Sequence, residues 1–534
     1  MNPATETLLR RAAVQAVSLS RQNVRGLYTE RRLERAAVNA SVDAPVIHAT
    51  ETTETRKTIN DLPGPDGLPI IGTALEYFRK PNRGQMHEVQ RRFHAKYGRI
   101  FKEKLGPVTN LSIADPKLVE EIFRHEGKYP NRPPYEAWTL YKDMRNRSRG
   151  ILSAYGEEWW KIRKLLNHRL MKPRTLQDYL TDLSSISEKL AEKIRVVRSR
   201  NDQDKSVPNI LNLFCEWSIE SVGQVIIDER FGCLEHNMSD EMNRFVRAIE
   251  TMMYTSHQLI AFTDVQKRLN TKIWRNFVQA WDVIIETGNK ILDAKRKSIE
   301  ERLANTDDTG VLEKTTLFEH LLSSDDLSLE EVYTNVSELL VSGVDTTSNT
   351  VAVIVYLLSR HPEALKKLQN EIDGLDTSNG FTQEHLNKMP YTKAVVKESL
   401  RLFPTIPINA RVLNEDTAVA GHIIPKNTIV MLNAYTMCRD PNEFQNPDDF
   451  IPERWLRNEV REFSPFTSLP FGFGKRSCVG RRLAETMTYL CIANIAKRYD
   501  LKATPDAFDV KPFVRTVLTL GDNLPVEFYD RETP

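Results

Sequence analysis

Phe471-Gly472-Phe473-Gly474-Lys475-Arg476-Ser477-Cys478-Val479-Gly480 is a glycine-punctuated loop holding one cysteine, with a basic residue two positions before it. Glycine permits positive φ and lets backbone approach a flat ligand closely, and a guanidinium offers a charged fork to a carboxylate. Directly after the loop an apolar helical period begins near Val479 and runs through Leu483, Met487 and Leu490. The free N–H groups and positive end of such a helix would favour a thiolate at Cys478. A lone cysteine is more often a small buried hydrophobe, and it is the surroundings that single this one out.

Working outward, the 534 residues would suggest three or four domains at about 150 residues each, yet no Pro/Gly/Ser linker divides the chain after residue 62. One large domain follows. With 40% hydrophobic and 27% charged residues the chain can bury a large core and is too mixed for disorder, and a net charge of +2 gives no bulk attraction to nucleic acid. Five cysteines, odd in number and without close spacing, argue against a disulfide framework. The first forty residues carry seven arginines and no lysine on a Leu/Ala/Val background, which reads as a mitochondrial presequence over residues 1–45, a basic disordered tail being the alternative. A linker over 46–61 leads into the turn-rich Leu62-Pro63-Gly64-Pro65, where the folded domain (62–534) is expected to start. No run of about 20 consecutive apolar residues is present, so membrane contact would be peripheral.

From Met86 onward the helical period dominates, with strand-like runs near Ile100-Leu105, Val108-Ile113, Ile406-Val412, Ile429-Leu432 and Phe513-Leu520. The fold class is therefore mainly α with small β-sheets. Ser328-Leu329-Glu330-Glu331 is a capping-box signature, and from it a helix of about thirty residues, roughly 45 Å long, runs to Pro362. In its middle stands Gly343-Val344-Asp345-Thr346-Thr347, a cluster of poor helix formers costing roughly 2–3 kcal/mol against alanine. It is either a harmless irregularity or a functional insertion.

The cysteine loop resembles the ligand loop of the cytochrome P450 family, Phe-x-x-Gly-x-Arg-x-Cys-x-Gly, at all five fixed positions: Phe471, Gly474, Arg476, Cys478 and Gly480. A phosphate loop would need glycine at Leu469 and Ser or Thr at Arg476, and a c-type haem would need Cys-x-x-Cys-His. The mid-helix cluster is similar to the family's oxygen-activating stretch, with Ser342 departing from the usual Ala or Gly. Glu398-Ser399-Leu400-Arg401, a weak signal alone, joins Arg454 in the Phe450-Ile451-Pro452-Glu453-Arg454-Trp455 run as the family's structural triad.

The resemblance implies a P450 fold with a long central helix over haem b, and a dioxygen-activating monooxygenase whose iron takes the Cys478 thiolate. It implies catalytic roles for Thr346 and Asp345, and contacts to the haem from Phe471, Gly480, Trp159, Arg163, Arg411 and Arg476. For Arg163, a solvated helix charge is the alternative. The mitochondrial branch of the family takes electrons from a ferredoxin with its reductase, and Lys393, Lys397, Arg481 and Arg482 fit its docking face, although each could simply be solvated. That branch implies a location on the matrix side of the inner membrane. A lipophilic sterol- or steroid-type substrate would be lined by Trp138, Leu339, Ser342, Gly343, Ile406, Ile408 and Val517, and an exogenous hydrophobic compound is the rival. Residues 254–262 include an apolar tip that could touch a bilayer. A haem-thiolate isomerase or dehydratase, needing no donor, and a haem-binding sensor are the other classes. Neither gives a reason for Asp345 and Thr346 in a long helix.

Overall fold

The computed structural model describes residues 57–532 apart from 70, 107, 173–175, 199–204, 261–262, 305–315, 458–462 and 505–508. The presequence over 1–45 lies outside the described residues, as do residues 46–56 of the linker. The element that organises the rest is the helix Leu329–Arg360. It starts where the capping box places it: Glu331 N–H donates to Ser328 Oγ (3.2 Å) and Ser328 N–H donates to the Glu331 carboxylate (2.7 Å). It stops as His361 turns to φ −125°, ψ 73° and Pro362 opens the next helix. At about 1.5 Å per residue it spans roughly 48 Å. Among the described residues it is the one helix long and apolar enough to cross a membrane, but 83% of its most apolar window is buried inside the protein. It is a core helix. In its middle the half-open positions are Ser342, Gly343, Thr346 and Thr350, which lie on one face at near-helical spacing.

Helices Gly156–Leu170, Leu180–Arg198, Ile210–Ile226, Lys272–Ala304 and Arg481–Arg498 pack with the central helix around one hydrophobic core. Ile210–Ile226 is buried along its whole length and lies directly against the central helix, with Ser218 Oγ donating to the Gly343 carbonyl (2.9 Å). A Cβ added at Gly343 would come within 2.8 Å of Val222 Cγ2, so glycine there sets the spacing of the two helices.

Four strands form the largest sheet, in the order β1 (Ile100–Leu105), β2 (Val108–Ile113), β6 (Ile429–Leu432), β3 (Asn409–Val412); β2 and β6 run parallel, with Asn110 opposite Ile429. The sheet has its own small core of Leu111, Ile113, Phe123, Val430 and Phe466. The cysteine loop bridges the two cores: Phe466 and Leu469 pack with the sheet, Phe471 and Val479 with the helices. A loop held between two cores is positioned from both sides, which a site demanding fixed geometry requires.

Four of the five expected strand runs appear, Ile406-Val412 shortened to β3, and the tail run splits into β8 (Phe513–Val514) and β9 (Leu518–Thr519), which pair antiparallel. Two further pairs were not legible: β4 (Thr417–Val419) with β5 (His422–Ile424), and β7 (Tyr499–Ala503) with β10 (Val526–Asp530). One boundary needs correction. Residues 57–61, assigned to the linker, belong to the folded unit, because Ile423 N–H donates to the Lys57 carbonyl (2.8 Å) and Ile59 is buried. A turn and a half capped by Thr58 and Asp61 is too short to show a period.

Candidate functional site

The cysteine loop takes its shape from Gly472 (φ 68°) and Gly474 (φ 72°), both in the left-handed region that glycine occupies without strain. Gly474 is doubly constrained, since an added Cβ would stand 2.8 Å from Glu126 Oε2. Cys478 N–H donates to the Phe471 carbonyl (2.8 Å), closing the loop, and Gly480 caps the helix Arg481–Arg498. Of the five cysteines only Cys478 is accessible. Burial by the surrounding protein raises its thiol pKa, against the pull of the Gly480 N–H and of Arg163, Arg132 and Arg481, which favour the thiolate.

Four mutually repelling guanidiniums cluster around the loop, and two of them, Arg163 and Arg132, act on the sulfur itself. Arg163, on the helix Gly156–Leu170, turns inward from a run of solvated cations and donates to the Ser477 carbonyl (2.5 Å) and to Asn167 Oδ1 (2.7 Å). Arg476 donates to the carbonyls of Pro130 (2.8 Å) and Ala154 (3.3 Å), and its guanidinium lies 3.8 Å from the centre of the Trp159 ring. Arg411, on β3, pairs with Glu126 and lies over Phe123. Arg132 donates to the Arg476 carbonyl, and its Nε is buried without a partner. Burial lowers Arg163 and Arg411 to about 10 and Arg476 to about 9, and in each case Arg132 adds repulsion. Among the described residues the carboxylate that faces these cations is Glu126, and burial raises its own pKa.

An accessible sulfur in a loop surrounded by four crowded cations with one carboxylate among them fits a haem, whose iron would take the thiolate and whose two propionates would supply the missing negative charge. Trp159 and Phe471 are adjoining aromatics in this arrangement, Phe471 lying under the Arg481 guanidinium (5.5 Å). Arg132 and Glu126 were missed in the sequence reading. The available signal for Arg132 was a charged residue stiffened by Pro133-Pro134; Glu126 carried none.

On the central helix Thr346 Oγ1 donates to the Ser342 carbonyl (2.8 Å), leaving its oxygen lone pairs free to accept. Thr350 does the same one turn on and meets Thr405 Oγ1 at 3.1 Å. The back-bonding does not break the helix, which is α-helical throughout. Asp345 points away from the half-open face: it is buried, takes hydrogen bonds from Arg515 (3.4 Å) and Asn349 (3.2 Å), and keeps Oδ2 without a partner. Burial raises its carboxyl pKa.

Glu398 and Arg401 are fully buried and joined by two hydrogen bonds of 2.8 Å. Arg454 Nε (3.2 Å), Trp455 Nε1 (2.9 Å) and Ile451 N–H (3.0 Å) complete the carboxylate's shell, while Arg401 also donates to the carbonyls of Cys438, Pro447 and Asp449. Of the docking candidates, Lys393 is half-buried and burial lowers its pKa, Lys397 lies 5.9 Å from the Trp455 ring, Arg481 pairs with Glu485 (3.1 Å), and Arg482 is exposed. Glu485 also acts on Lys393, so the two helices present these charges on adjoining surface. Among the pocket candidates Ser342, Gly343, Ile406 and Ile408 are half-open and Leu339 is buried beside them. Trp138 is bound into the core, donating to Ser256 Oγ (2.9 Å) and packing edge-on against Trp281, and Val517 is fully buried.

A family model described as Cytochrome P450 matches residues 62–523. The chain is 33% identical over 498 residues to the mitochondrial 1,25-dihydroxyvitamin D(3) 24-hydroxylase of Rattus norvegicus, covering 93% of this chain and 94% of the relative. It is 32% identical over 522 residues to the mitochondrial sterol 26-hydroxylase of Mus musculus (95% and 96% covered) and 32% identical over 480 residues to cytochrome P450 27C1 of Danio rerio (89% and 88% covered).

Proposed function

Because the chain belongs to the cytochrome P450 family, whose haem is held by a cysteine thiolate, we propose that Cys478 is that ligand in a mitochondrial hydroxylase of sterol- or vitamin D-type lipids. The observation that carries the assignment is the accessible Cys478 sulfur set among Arg132, Arg163, Arg411 and Arg476, a charge surplus suited to two propionates. When bound, the haem supplies dioxygen activation at an iron whose electron-rich thiolate promotes O–O cleavage. The chain's own residues would bind and orient it: Arg163, which donates to the Ser477 carbonyl of the loop, and Arg476, which ties the loop to the Pro130 carbonyl, would meet the propionates together with Arg411, which is paired with Glu126. Thr346 presents an acceptor oxygen on the half-open helix face, and the buried Asp345 carboxyl one residue earlier, turned toward Arg515, connects this stretch of helix to a proton supply.

Electrons come from a ferredoxin that docks over Lys393, Lys397, Arg481 and Arg482, beside the helix that follows Cys478; such a patch steers an acidic partner and weakens as salt rises. The location is mitochondrial, on the matrix side of the inner membrane. Exposed apolar side chains support peripheral membrane contact: Leu68, Leu75 and Phe78 near the start of the domain, and Tyr254, Ile260 and Leu269 around the suggested tip, of which residues 261–262 lie outside the described residues. A steroid nucleus would lie against half-open Ile406 and Ile408 and the half-open helix face at Ser342 and Gly343. The test is a panel of sterols, vitamin D compounds and unrelated hydrophobic compounds added to the purified ferric protein. Sterol- or vitamin D-type ligands should shift the iron spin state and be hydroxylated with a reconstituted ferredoxin and reductase. Shifts confined to the unrelated compounds would refute the substrate class.

A further inference from the structure

A polar pocket of about 600 Å³ lies between the helices Ile210–Ile226, Asp240–Leu259 and Lys272–Ala304 and the chain end around Arg515–Asp522. Its rim includes exposed Tyr254, and Asn212, Glu216, Glu250, Arg515 and Asp522 line it. The Arg515 guanidinium lies between Asp522 Oδ1 (3.8 Å) and Asp345 Oδ1 (3.4 Å), and side-chain exposure falls along that line from 65% at Asp522 to 13% at Arg515 and 6% at Asp345. We propose that this pocket is the proton inlet to Asp345, with Glu250 as the carboxyl that relays protons from its wall and Arg515 as the positioning residue that orients Asp345. The proposal rests on reading Asp345 and Thr346 as the proton-handling pair.

Both Arg515 contacts are longer than a tight charge-assisted hydrogen bond, so the guanidinium is shared between two carboxylates and orients Asp345 while leaving its carboxyl able to take up and release a proton. A buried carboxylate oxygen with no donor is costly, and Asp345 Oδ2 is one; a proton on it removes the cost. Burial raises the carboxyl pKa of both Asp345 and Glu250, which suits them to hold and release protons closer to neutral pH. Arg247 and Lys272 are further charged side chains of the pocket wall. Glu216 is tied to Lys193 (2.8 Å) and Asn212 (2.8 Å), the Cys215 thiol is kept neutral by burial and donates to Ser348 Oγ (3.3 Å), and burial keeps His257, beside the Arg515 backbone, low in pKa. A proton taken by the Glu250 carboxylate from water in the pocket passes to Asp345 Oδ2 after Asp345 has delivered its own toward Thr346. Each transfer leaves a carboxylate that is refilled from outside, so no co-reactant is needed.

The experiment is a pH-jump infrared measurement on the ferric haem-bound protein, following the carboxyl band that Asp345→Asn abolishes. Glu250→Gln should slow protonation of that band at least about tenfold. Arg515→Gln should raise its titration midpoint by about one unit or more, because a cation nearby favours the ionised form, and Arg515→Lys should return it toward wild type. Arg515→Lys also covers the case in which Arg515→Gln does not fold. An unchanged protonation rate in Glu250→Gln, or an unmoved midpoint in Arg515→Gln, overturns the inlet. Failure of the underlying pair is read separately, as unchanged product per electron in Asp345→Asn.

Discussion

Glu398→Gln is the perturbation whose cost the structure lets us work out. The buried carboxylate accepts five hydrogen bonds: Oε1 from Arg401, Arg454 and the Ile451 N–H, Oε2 from Arg401 and Trp455. An amide keeps the volume but turns one oxygen into a donor, so two donors lose their acceptor if the NH2 replaces Oε2 and three if it replaces Oε1. At about 1–3 kcal/mol for each buried donor left unmet, the loss is at least roughly 2–6 kcal/mol. That agrees with the ~3–5 kcal/mol for breaking a buried ion pair, since Arg401 is left charged at 0% exposure. The assay is urea unfolding of the haem-bound protein followed by backbone circular dichroism and by the ferrous carbon monoxide spectrum. Both signals should be lost together at a markedly lower urea concentration. Glu485→Gln, which weakens the partly exposed pair with Arg481, should cost no more than about 1 kcal/mol and serves as the reference. A Glu398→Gln protein within about 1 kcal/mol of wild type would refute the reasoning.

Four further outcomes are expected. Thr346→Ala should release peroxide and lower product per electron consumed while leaving the carbon monoxide spectrum intact; unchanged coupling would remove Thr346 from proton handling. Arg476→Leu should speed haem transfer to an apoprotein acceptor severalfold, and an unchanged transfer rate would mean its guanidinium serves only the Pro130 and Ala154 carbonyls. Gly343→Val should cost roughly 1–3 kcal/mol by overpacking against Val222, measured by thermal unfolding. His87 and His94 are held at about 4 by burial, below the ordinary 6.5, so the folded state favours their neutral forms. The stability they contribute is complete above pH 6.5 and is lost as pH falls toward 4, and His87→Phe should flatten that acid limb.

Particular residues show where sequence reading reaches and where it stops. The central helix was legible end to end because its signals are local: the reciprocal Ser328–Glu331 cap, an apolar period, and Pro362. The cysteine loop was legible because close backbone approach leaves glycines at set spacing. The strand pairs β4–β5 and β7–β10 were not, since strands of three to five residues are too short to show an alternation and depend on their partners, Val419 on His422 across a tight turn and Tyr499 on Asp530. For Trp138, which the resemblance places at the pocket, the sequence carried no sign of its buried bond to Ser256 Oγ.

The sequence by itself therefore determined the family, the helix-dominated fold and the sulfur at its centre, because each rests on residue types at short, rigid spacings. Only the tertiary structure decided how charge is distributed around that centre. It brought Glu126 and Arg132 from one segment to Arg411 and Arg476 from others, and set Arg515 against Asp345, 170 positions apart in the chain. Electrostatic interaction depends on distance through space and on exclusion of water, and neither is written in the order of residues.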